Sequence, residues 1–391
     1  MSELEKRKVE HVKIVAQKDE MDRRKFYFDE IRLTHRALPE IDLKAIDPSV
    51  EFMGKKLSFP LLISSMTGGG DKLFKKINTN LAAAAEAECV AMGVGSQRIF
   101  FTEPTARSSF DLRGVAPSTL LFSNLGAVQL NEDMTLQHAR AVVQVLKADA
   151  LCLHLNPLQE AVQPEGDTNF SNLRNKIGEI VQGLEVPVIV KEVGAGISAA
   201  DAELLIEAGV KYINVAGSGG TSWSRVEGER SDDPSLGRLF QDWGIPTPVA
   251  LRALAPYRDR ITLIASGGIR SGLDMAKAVV LGASLCGLAR PFLNPAMESA
   301  EAVRAVIQKL KREFVTAMFL LGADRVEKIQ GREELILQDL KTYERTQETL
   351  AFLELIRQGD DDIEAGRTVP MKQAFAELRK EIRKKNPESK L

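Results

Sequence analysis

Short apolar runs alternate with longer amphipathic stretches between residues 59 and 292 of the chain. The runs are rich in Val, Ile and Leu and lack a clean two-residue alternation, which is typical of parallel strands buried on both faces. We therefore predict eight strands, within the runs FPLLISSM (59–66), CVAMGVGS (89–96), TLLFSNLG (119–126), ALCLHLNP (150–157), PVIVKEVG (187–194), YINVAGSG (212–219), ITLIASGG (261–268) and SLCGLARP (284–291).

The stretches between these runs carry helix signals. Residues 71–88 repeat apolar side chains at helical spacing, and Ser198 and Ser271 stand where helix N-caps are expected. Gly282 would end the helix that Ser271 begins. Eight strands alternating with helices predict an α/β fold of the TIM (β/α)8 barrel type, with an open doubly wound sheet as the alternative.

The chain is longer than the about 250 residues of a typical barrel, so we expect extensions at both ends. Residues 1–50 are predicted to form an N-terminal segment that closes over the site, residues 51–330 the barrel, and residues 331–391 a charged helical tail. Residues 220–245 are rich in Gly, Ser, Asp and Arg. A loop of this length usually covers an active site or is disordered.

Charge and composition narrow the classes of function. The 391 residues carry a net charge of −2, which argues against a general nucleic-acid binder. Apolar runs stay well short of the ~20 residues of a membrane span, and the charged N-terminus lacks the apolar centre of a signal peptide. We expect a cytoplasmic protein that binds neither nucleic acid nor membrane. Cys89, Cys152 and Cys286 lie in apolar runs without a CxxC pair and are predicted to be buried and reduced.

Polar residues stand at the ends of all eight predicted strands. In a TIM barrel the active site lies at the carboxyl ends of the strands, and buried polar groups are costly without partners. Eight polar ends together therefore predict a spacious polar mouth. They read SMTGGG (65–70), GSQR (95–98), SN (123–124), HLNPLQE (154–160), KE (191–192), GSGGT (217–221), SGG (266–268) and AR (289–290).

The residues at the ends of two of these predicted strands are typical of a cofactor-binding site. Gly267 and Gly268 can present backbone N–H groups to a phosphate at the start of a helix, although a tight turn alone would also use glycine. Lys191 ends a very apolar strand. It could form a Schiff base, contact an electron-rich cofactor ring, or pair with Glu192, and the sequence leaves these alternatives open.

The fourth run holds a dense polar group, His154, Asn156, Gln159 and Glu160. A lone histidine near a buried strand is usually a core residue, but four polar side chains within seven residues indicate a site. Glu160 is the one carboxylate among them. Because Mg²⁺ is usually held by one or two carboxylates plus substrate phosphates, Glu160 is a candidate magnesium ligand.

These motifs together resemble type II isopentenyl diphosphate isomerases. The resemblance covers roughly residues 5–345, and HLNPLQE is its most specific element, whereas ASGGIRSG is shared with other FMN barrels. The motifs are RKVEH (7–11), SSMTGGG (64–70), GSQR (95–98), SNLG (123–126), HLNPLQE (154–160), VKEVGAGIS (190–198), VAGSGGTSW (215–223), ASGGIRSG (265–272) and GLARPFL (287–293).

The resemblance implies a role for each motif. Composition alone would favour a solvated helix around residues 7–11, but the family pattern places them on the substrate. The implied flavin contacts are Ser65, Met66, Thr67, Ser96, Asn124, Lys191, Thr221, Gly268, Ala289 and Arg290. The implied diphosphate contacts are Arg7, Lys8, Ser96, Gln97, Arg98, His154 and Asn156. Gln159 would sit beside the reacting carbons, with His154 as a second catalytic candidate, and Glu160 would bind Mg²⁺.

The implied reaction interconverts isopentenyl and dimethylallyl diphosphate, which moves a double bond without net redox change. The site offers few ordinary acids, so reduced FMN is the expected proton carrier, as the resemblance implies, and the protein positions and tunes it. NADPH or NADH would only keep the flavin reduced. A homo-oligomer is also expected.

Three rival functions share parts of this pattern. A 2-hydroxy-acid oxidase of the same fold would need a His base and an Arg after the sixth strand, where this chain reads GSGGTSW without His. A barrel resembling inosine-monophosphate dehydrogenase would need a loop cysteine. A non-catalytic flavin- or phosphate-binding barrel would keep ASGGIRSG but need not keep Gln159, Glu160 or RKVEH.

Overall fold

Eight parallel strands close into a barrel, which confirms the predicted fold and rules out the open sheet. In this computed structural model, residues 3–66, 69 and 71–337 are described, together with residues 357 and 366. Every barrel strand falls inside one of the predicted runs. They are β1 (Leu61–Ile63), β2 (Ala91–Gly93), β3 (Leu121–Gly126), β4 (Ala150–His154), β5 (Val188–Lys191), β6 (Tyr212–Asn214), β7 (Thr262–Ser266) and β8 (Leu285–Leu288).

The strand register brings distant polar residues to the same level of the barrel. Gly126 at the end of β3 pairs with His154 at the end of β4, and His154 pairs in turn with Lys191 at the end of β5. Because parallel strands point their carboxyl ends to one edge, these residues meet at one rim. The predicted mouth is therefore a consequence of register.

Helices surround the barrel and begin at capping residues. Ser198 and Ser271 are helix N-caps, as predicted from the sequence, and each also forms a capping box with an Asp three residues later. Gly282 follows the helix that starts after Ser271 and adopts a φ of +97°, a conformation that suits glycine. The helices are α1 (Glu3–Gln17), α2 (Lys72–Glu88), α3 (Ile99–Thr102), α4 (Leu136–Leu146), α5 (Pro157–Val162), α6 (Leu173–Gly183), α7 (Ala199–Glu207), α8 (Trp223–Gly228), α9 (Ser235–Leu239), α10 (Thr247–Ala253), α11 (Gly272–Val280), α12 (Arg290–Glu298) and α13 (Ala300–Leu321).

A β-hairpin closes the amino-terminal end of the barrel. Its strands, Val50–Phe52 and Lys55–Leu57, pair antiparallel. Phe52 is buried and contacts Tyr212 of β6 with ring centroids 5.7 Å apart. One end of the barrel is therefore sealed by apolar side chains, which leaves the opposite end for chemistry.

The N-terminal segment lies against the open end of the barrel. In α1, Val12 and Val15 are buried, and further along the chain Met21 and Phe28 are buried as well. Although this region is rich in charged residues, it also has buried apolar side chains, and these anchor the segment to the barrel.

The first residues of the predicted helical tail do not form an α-helix. Glu333–Leu335 form a 3-10 turn, and Ile336–Leu337 form a short strand paired antiparallel with Arg32–Leu33. The rest of the predicted tail, apart from residues 357 and 366, lies outside the described residues. Among the helices that are described, none is long and apolar enough to span a bilayer.

The prediction for the cysteines is correct for two of three. Cys152 and Cys286 are buried, but Cys89 is exposed, and all three are free thiols. Cys89 caps the C-terminus of α2 with a φ of 51°, and β2 begins two residues later at Ala91. The apolar run 89–96 therefore includes the helix end, which faces solvent.

Candidate active site

One cavity at the carboxyl ends of the strands gathers nearly all the predicted site residues. The predicted residues that line it are Arg7, Lys8, Ser65, Met66, Ser96, Arg98, Asn124, His154, Asn156, Gln159, Glu160, Lys191, Thr221, Gly268, Ala289 and Arg290. Thr67 lies outside the described residues. Gln97 is not brought to the cavity: its side chain is fully buried and bonds the Val142 carbonyl and the Asn124 N–H, so it supports β3 from behind.

His154 is held as a neutral imidazole. Its Nδ1 lies 2.8 Å from Asn124 Oδ1, and the Asn124 amide donates to Ser65 Oγ at 3.0 Å. Burial, together with the positive charges of Lys191 and Arg98, lowers the pKa of His154 to about 3. His154 can therefore orient Asn124 or accept a hydrogen bond near neutral pH, but the protein alone does not make it an acid there.

Gln159 is anchored by a carboxylate that was not predicted from the sequence. Glu227 on α8 is fully buried and accepts from Gln159 Nε2 at 2.7 Å and from Arg230 at 2.7 Å. His11 Nε2 of α1 lies 3.0 Å from the same carboxylate. Burial alone would raise the pKa of Glu227, but these partners hold it at about 2.

The loop that carries Glu227 therefore belongs to the site. It was expected to cover the mouth or be disordered, and it contains two short helices, α8 and α9. A glutamate in a polar loop carries no sequence signal of its own. His11 was visible only as part of the RKVEH motif, and its contact with Glu227 depends on how α1 docks.

Glu160 has the surroundings of a ligand for a hard cation. It is buried, and its carboxylate accepts from Asn156 Nδ2 at 2.7 Å and from the Asp167 N–H at 2.8 Å. Burial raises its pKa. Among the described residues there is no group of three or more His, Cys, Asp or Glu side chains able to hold a metal. The donor set fits a cation that takes its remaining ligands from a phosphate-bearing substrate and water.

The other half of the cavity fits a flavin mononucleotide. Ser64 Oγ is buried, lines this half of the cavity and has no protein hydrogen-bond partner. Gly267 and Gly268 adopt φ values of +94° and +79°, and a Cβ on Gly268 would come within 3.0 Å of neighbouring backbone. An unpartnered polar group and a bare glycine turn are what a ring and phosphate require.

Lys191 lines this half of the cavity from the end of β5. It is buried, and desolvation lowers its pKa. Its Nζ donates to the backbone carbonyl of Glu192 at 2.6 Å. The Glu192 carboxylate instead accepts backbone N–H groups of residues 193–196. The two side chains are therefore not a simple ion pair.

Acidic residues of the N-terminal segment hold the cluster at the ends of β6–β8. Asp22 accepts from Thr221 Oγ1 at 2.7 Å and pairs with Arg290 at 3.0 Å and Arg270 at 2.7 Å. Arg290 also pairs with Asp19 at 2.8 Å. Nothing in the sequence singled out these carboxylates, because their partners lie about 200 or more residues away.

Helix α1 presents its basic residues at the opposite rim. Lys8 Nζ donates to the Ser96 carbonyl at 2.8 Å, and Arg7 lies 3.5 Å from Glu165. Arg98, after β2, pairs with Asp167 at 2.8 Å. Three cationic side chains from two distant segments thus converge beside Glu160, as an anionic ligand would require.

Comparison with known proteins agrees with this geometry. The model of the FMN-dependent dehydrogenase family matches residues 126–336. The flavin-binding domain of baker's yeast flavocytochrome b2 superposes with a TM-score of 0.62 at 20% identity, covering 86% of this chain and 83% of that chain. A mandelate oxidase variant gives 0.54 at 18% identity, over 77% and 87%. At such identities the likeness concerns the fold alone.

Curated relatives are much more similar in sequence. An isopentenyl-diphosphate delta-isomerase from Paracoccus zeaxanthinifaciens is 54% identical, covering 85% of this chain and 97% of that protein. Those from Hydrogenovibrio crunogenus and Nostoc sp. are each 48% identical, covering 86% and 84% of this chain and 99% and 95% of their own lengths.

The fold, the cavity and the family match define the chain as an FMN-dependent flavoprotein barrel of the FMN-dependent dehydrogenase family. Within that class it belongs to the isopentenyl-diphosphate delta-isomerase family. The resemblance drawn from the sequence motifs is thereby confirmed.

Proposed function

We propose that this chain interconverts isopentenyl diphosphate and dimethylallyl diphosphate with reduced FMN and Mg²⁺. The observation that carries the proposal is the cavity that brings Gln159 and Glu160 together with the cationic side chains of the opposite rim. The charge states of the groups around Gln159 support it. Glu227, with a pKa of about 2, remains ionised, and His154, with a pKa of about 3, remains neutral. Neither side chain is a ready proton donor near neutral pH, whereas an unactivated alkene requires a strong, positioned donor.

Reduced FMN, when bound, would supply that acid–base chemistry at the centre of the cavity. Ser65, Asn124 and Lys191 would hold its ring, and the glycine turn at Gly268 and the N-terminus of α12 would hold its phosphate. NADPH or NADH would serve only to reduce it.

The substrate would lie between the flavin and α1. Arg7, Lys8 and Arg98 would bind the diphosphate, with His154 and Asn156 as further hydrogen-bonding groups and Glu160 as the protein ligand of Mg²⁺. Gln159, fixed by Glu227, would orient the alkene, because its amide cannot titrate near neutral pH but can direct a hydrogen bond. Helix α1 would exclude water from the closed site.

One anaerobic assay tests this proposal, with purified protein, FMN, Mg²⁺, NADPH and isopentenyl diphosphate. We expect dimethylallyl diphosphate to accumulate over many turnovers while NADPH oxidation stops once the flavin is reduced, because the reaction is redox-neutral. Stoichiometric NADPH consumption per product would contradict the proposal. Oxidation of a 2-hydroxy acid without isomerisation would favour the oxidase function instead.

We also propose a cytoplasmic homo-oligomer. Leu239 and Trp243 of the loop beside the site are 75% and 63% exposed, which is unusual for large apolar side chains and supports a covered surface. Light scattering of the purified protein tests the oligomer, and a monomeric mass at micromolar concentration would contradict it.

A further inference from the structure

One carboxylate joins the anion-binding and cation-binding halves of the proposed substrate site. Asp167 lies on the loop after α5, and its Oδ2 accepts from Arg98 Nη1 at 2.8 Å and from Gln129 Nε2 at 2.9 Å. Its backbone N–H donates to Glu160 Oε2 at 2.8 Å. The same residue therefore fixes a candidate diphosphate ligand and the candidate magnesium ligand.

The charges around Asp167 make these two halves interdependent. The Asp167 carboxylate neutralises part of the Arg98 charge, and the same residue is hydrogen-bonded to a second carboxylate, Glu160. A metal-free diphosphate entering here meets Arg7 and Lys8, but also two carboxylates and an arginine, Arg98, that is already paired. A diphosphate that arrives with Mg²⁺ places a divalent cation between these carboxylates and the anion, which removes the repulsion.

We propose that Asp167 is a positioning residue that makes the site selective for a metal-complexed diphosphate over the free anion. This inference rests on the proposed function. Asp167 acts through Arg98 and Glu160: its charge penalises the metal-free anion, and its backbone N–H keeps Glu160 oriented for the cation. The selectivity is a coupling between metal and anion binding, so it is measurable without catalysis.

The test is calorimetric titration of the FMN-loaded enzyme with inorganic pyrophosphate, in Mg²⁺ and in excess chelator. The measured quantity is a ratio: the dissociation constant of pyrophosphate in excess chelator divided by its dissociation constant in Mg²⁺. In Asp167→Asn, which keeps the shape and the backbone N–H, we expect this ratio to fall by about tenfold, within the usual range of coupling between sites. Most of the change should be tighter metal-free binding, because Arg98 is released.

A matched control removes a carboxylate from an ion pair on the barrel exterior. Glu185→Gln loses the exposed pair with Arg140, whose atoms lie 3.1 Å apart, and should leave the ratio unchanged. Flavin absorbance and melting temperature report whether each variant is folded. Asp167→Ser removes the same charge with a smaller side chain and replaces Asp167→Asn if that variant does not retain flavin.

The outcomes separate the alternatives. Weakened pyrophosphate binding by the same factor in both conditions would show a merely structural role for Asp167 and overturn the inference, as would an unchanged ratio. Failure of the wild-type enzyme to isomerise isopentenyl diphosphate would overturn the proposed function, and that result is read in a separate assay from the pyrophosphate ratio.

Discussion

At the scale of single residues, the site depends on buried groups whose pKa values are shifted from their ordinary values by their neighbours. Glu227 remains a carboxylate although it is fully buried, because three donors surround it. His154 is neutral for the opposite reason, since burial and neighbouring cations disfavour its charged form. Each state depends on a partner distant in sequence, so a single substitution can change it.

Gln159 should control the rate of the reaction rather than affinity for the substrate. Gln159→Leu has similar bulk but cannot bond Glu227 or orient the alkene, so we expect turnover to fall by about 100-fold, the usual effect of misplacing a reacting group. The Michaelis constant should change little, since the proposed diphosphate contacts lie elsewhere. Steady-state kinetics beside Gln144→Leu, on the exposed side of α4, provides the control. Near-normal turnover would remove Gln159 from the mechanism.

His154 should make the protein less stable as the pH falls. Its folded pKa of about 3 lies below the ordinary histidine value of about 6.5, so below that pH the unfolded chain binds more protons and stability declines. From pH 7 to pH 5 this loss should be about 2 kcal/mol, at 1.36 kcal/mol per pKa unit. Urea unfolding of wild type and His154→Asn measures the difference, with exposed His35→Asn as the control. Parallel pH profiles for wild type and His154→Asn would contradict the assignment.

At the scale of elements, α1 and the loop 220–245 meet over the mouth as one lid. His11 of α1 contacts Glu227 of α8, and Glu10 pairs with Arg230 at 3.1 Å. The remainder of the N-terminal segment is tied separately, through Asp22, to the ends of β6–β8. The substrate half and the cofactor half of the cavity are thus covered by different parts of the same segment.

This division predicts what a short truncation will do. Removing residues 2–8 deletes Arg7 and Lys8 but leaves Asp22 and its partners, so we expect the Michaelis constant to rise by about tenfold or more, as loss of a charge-assisted contact implies. FMN affinity, measured by fluorescence quenching, should remain within about twofold. Arg7→Gln/Lys8→Gln should reproduce the effect if charge is the cause. Equal losses of substrate and FMN affinity would indicate a structural role for α1.

At the scale of the whole molecule, one end of the barrel is a packed apolar core that contributes stability, and the opposite end carries the active site. The amino-terminal end is sealed by the hairpin around Phe52, whose ring packs on Tyr212 and on Phe122. The carboxyl end collects the polar side chains of eight strands around one cavity. This arrangement lets the loops vary while the barrel persists, which explains how mandelate oxidase and flavocytochrome b2 share the fold at 18–20% identity.

The sequence alone determined the features that depend on local chemistry. Strand positions follow from continuous apolar runs, and the capping boxes at Ser198 and Ser271 need only residues three apart. Most of the predicted residues came to one cavity for a similar reason, because each stands at the end of a strand and a closed parallel barrel brings all such ends together. Gln97 is the exception, because its amide turns away from the cavity and bonds the Val142 carbonyl and the Asn124 N–H behind β3.

Only the tertiary structure decided the partners of these residues. Glu227 reaches Gln159 across 68 positions, Asp167 reaches Arg98 across 69, and Asp22 reaches Thr221 across 199. Carboxylates in polar loops are normally solvated, so their sequence context carries no sign of such contacts. Docking of α1 and closure of the barrel create them, because the free energy of an ion pair depends on the distance and burial that the complete fold imposes.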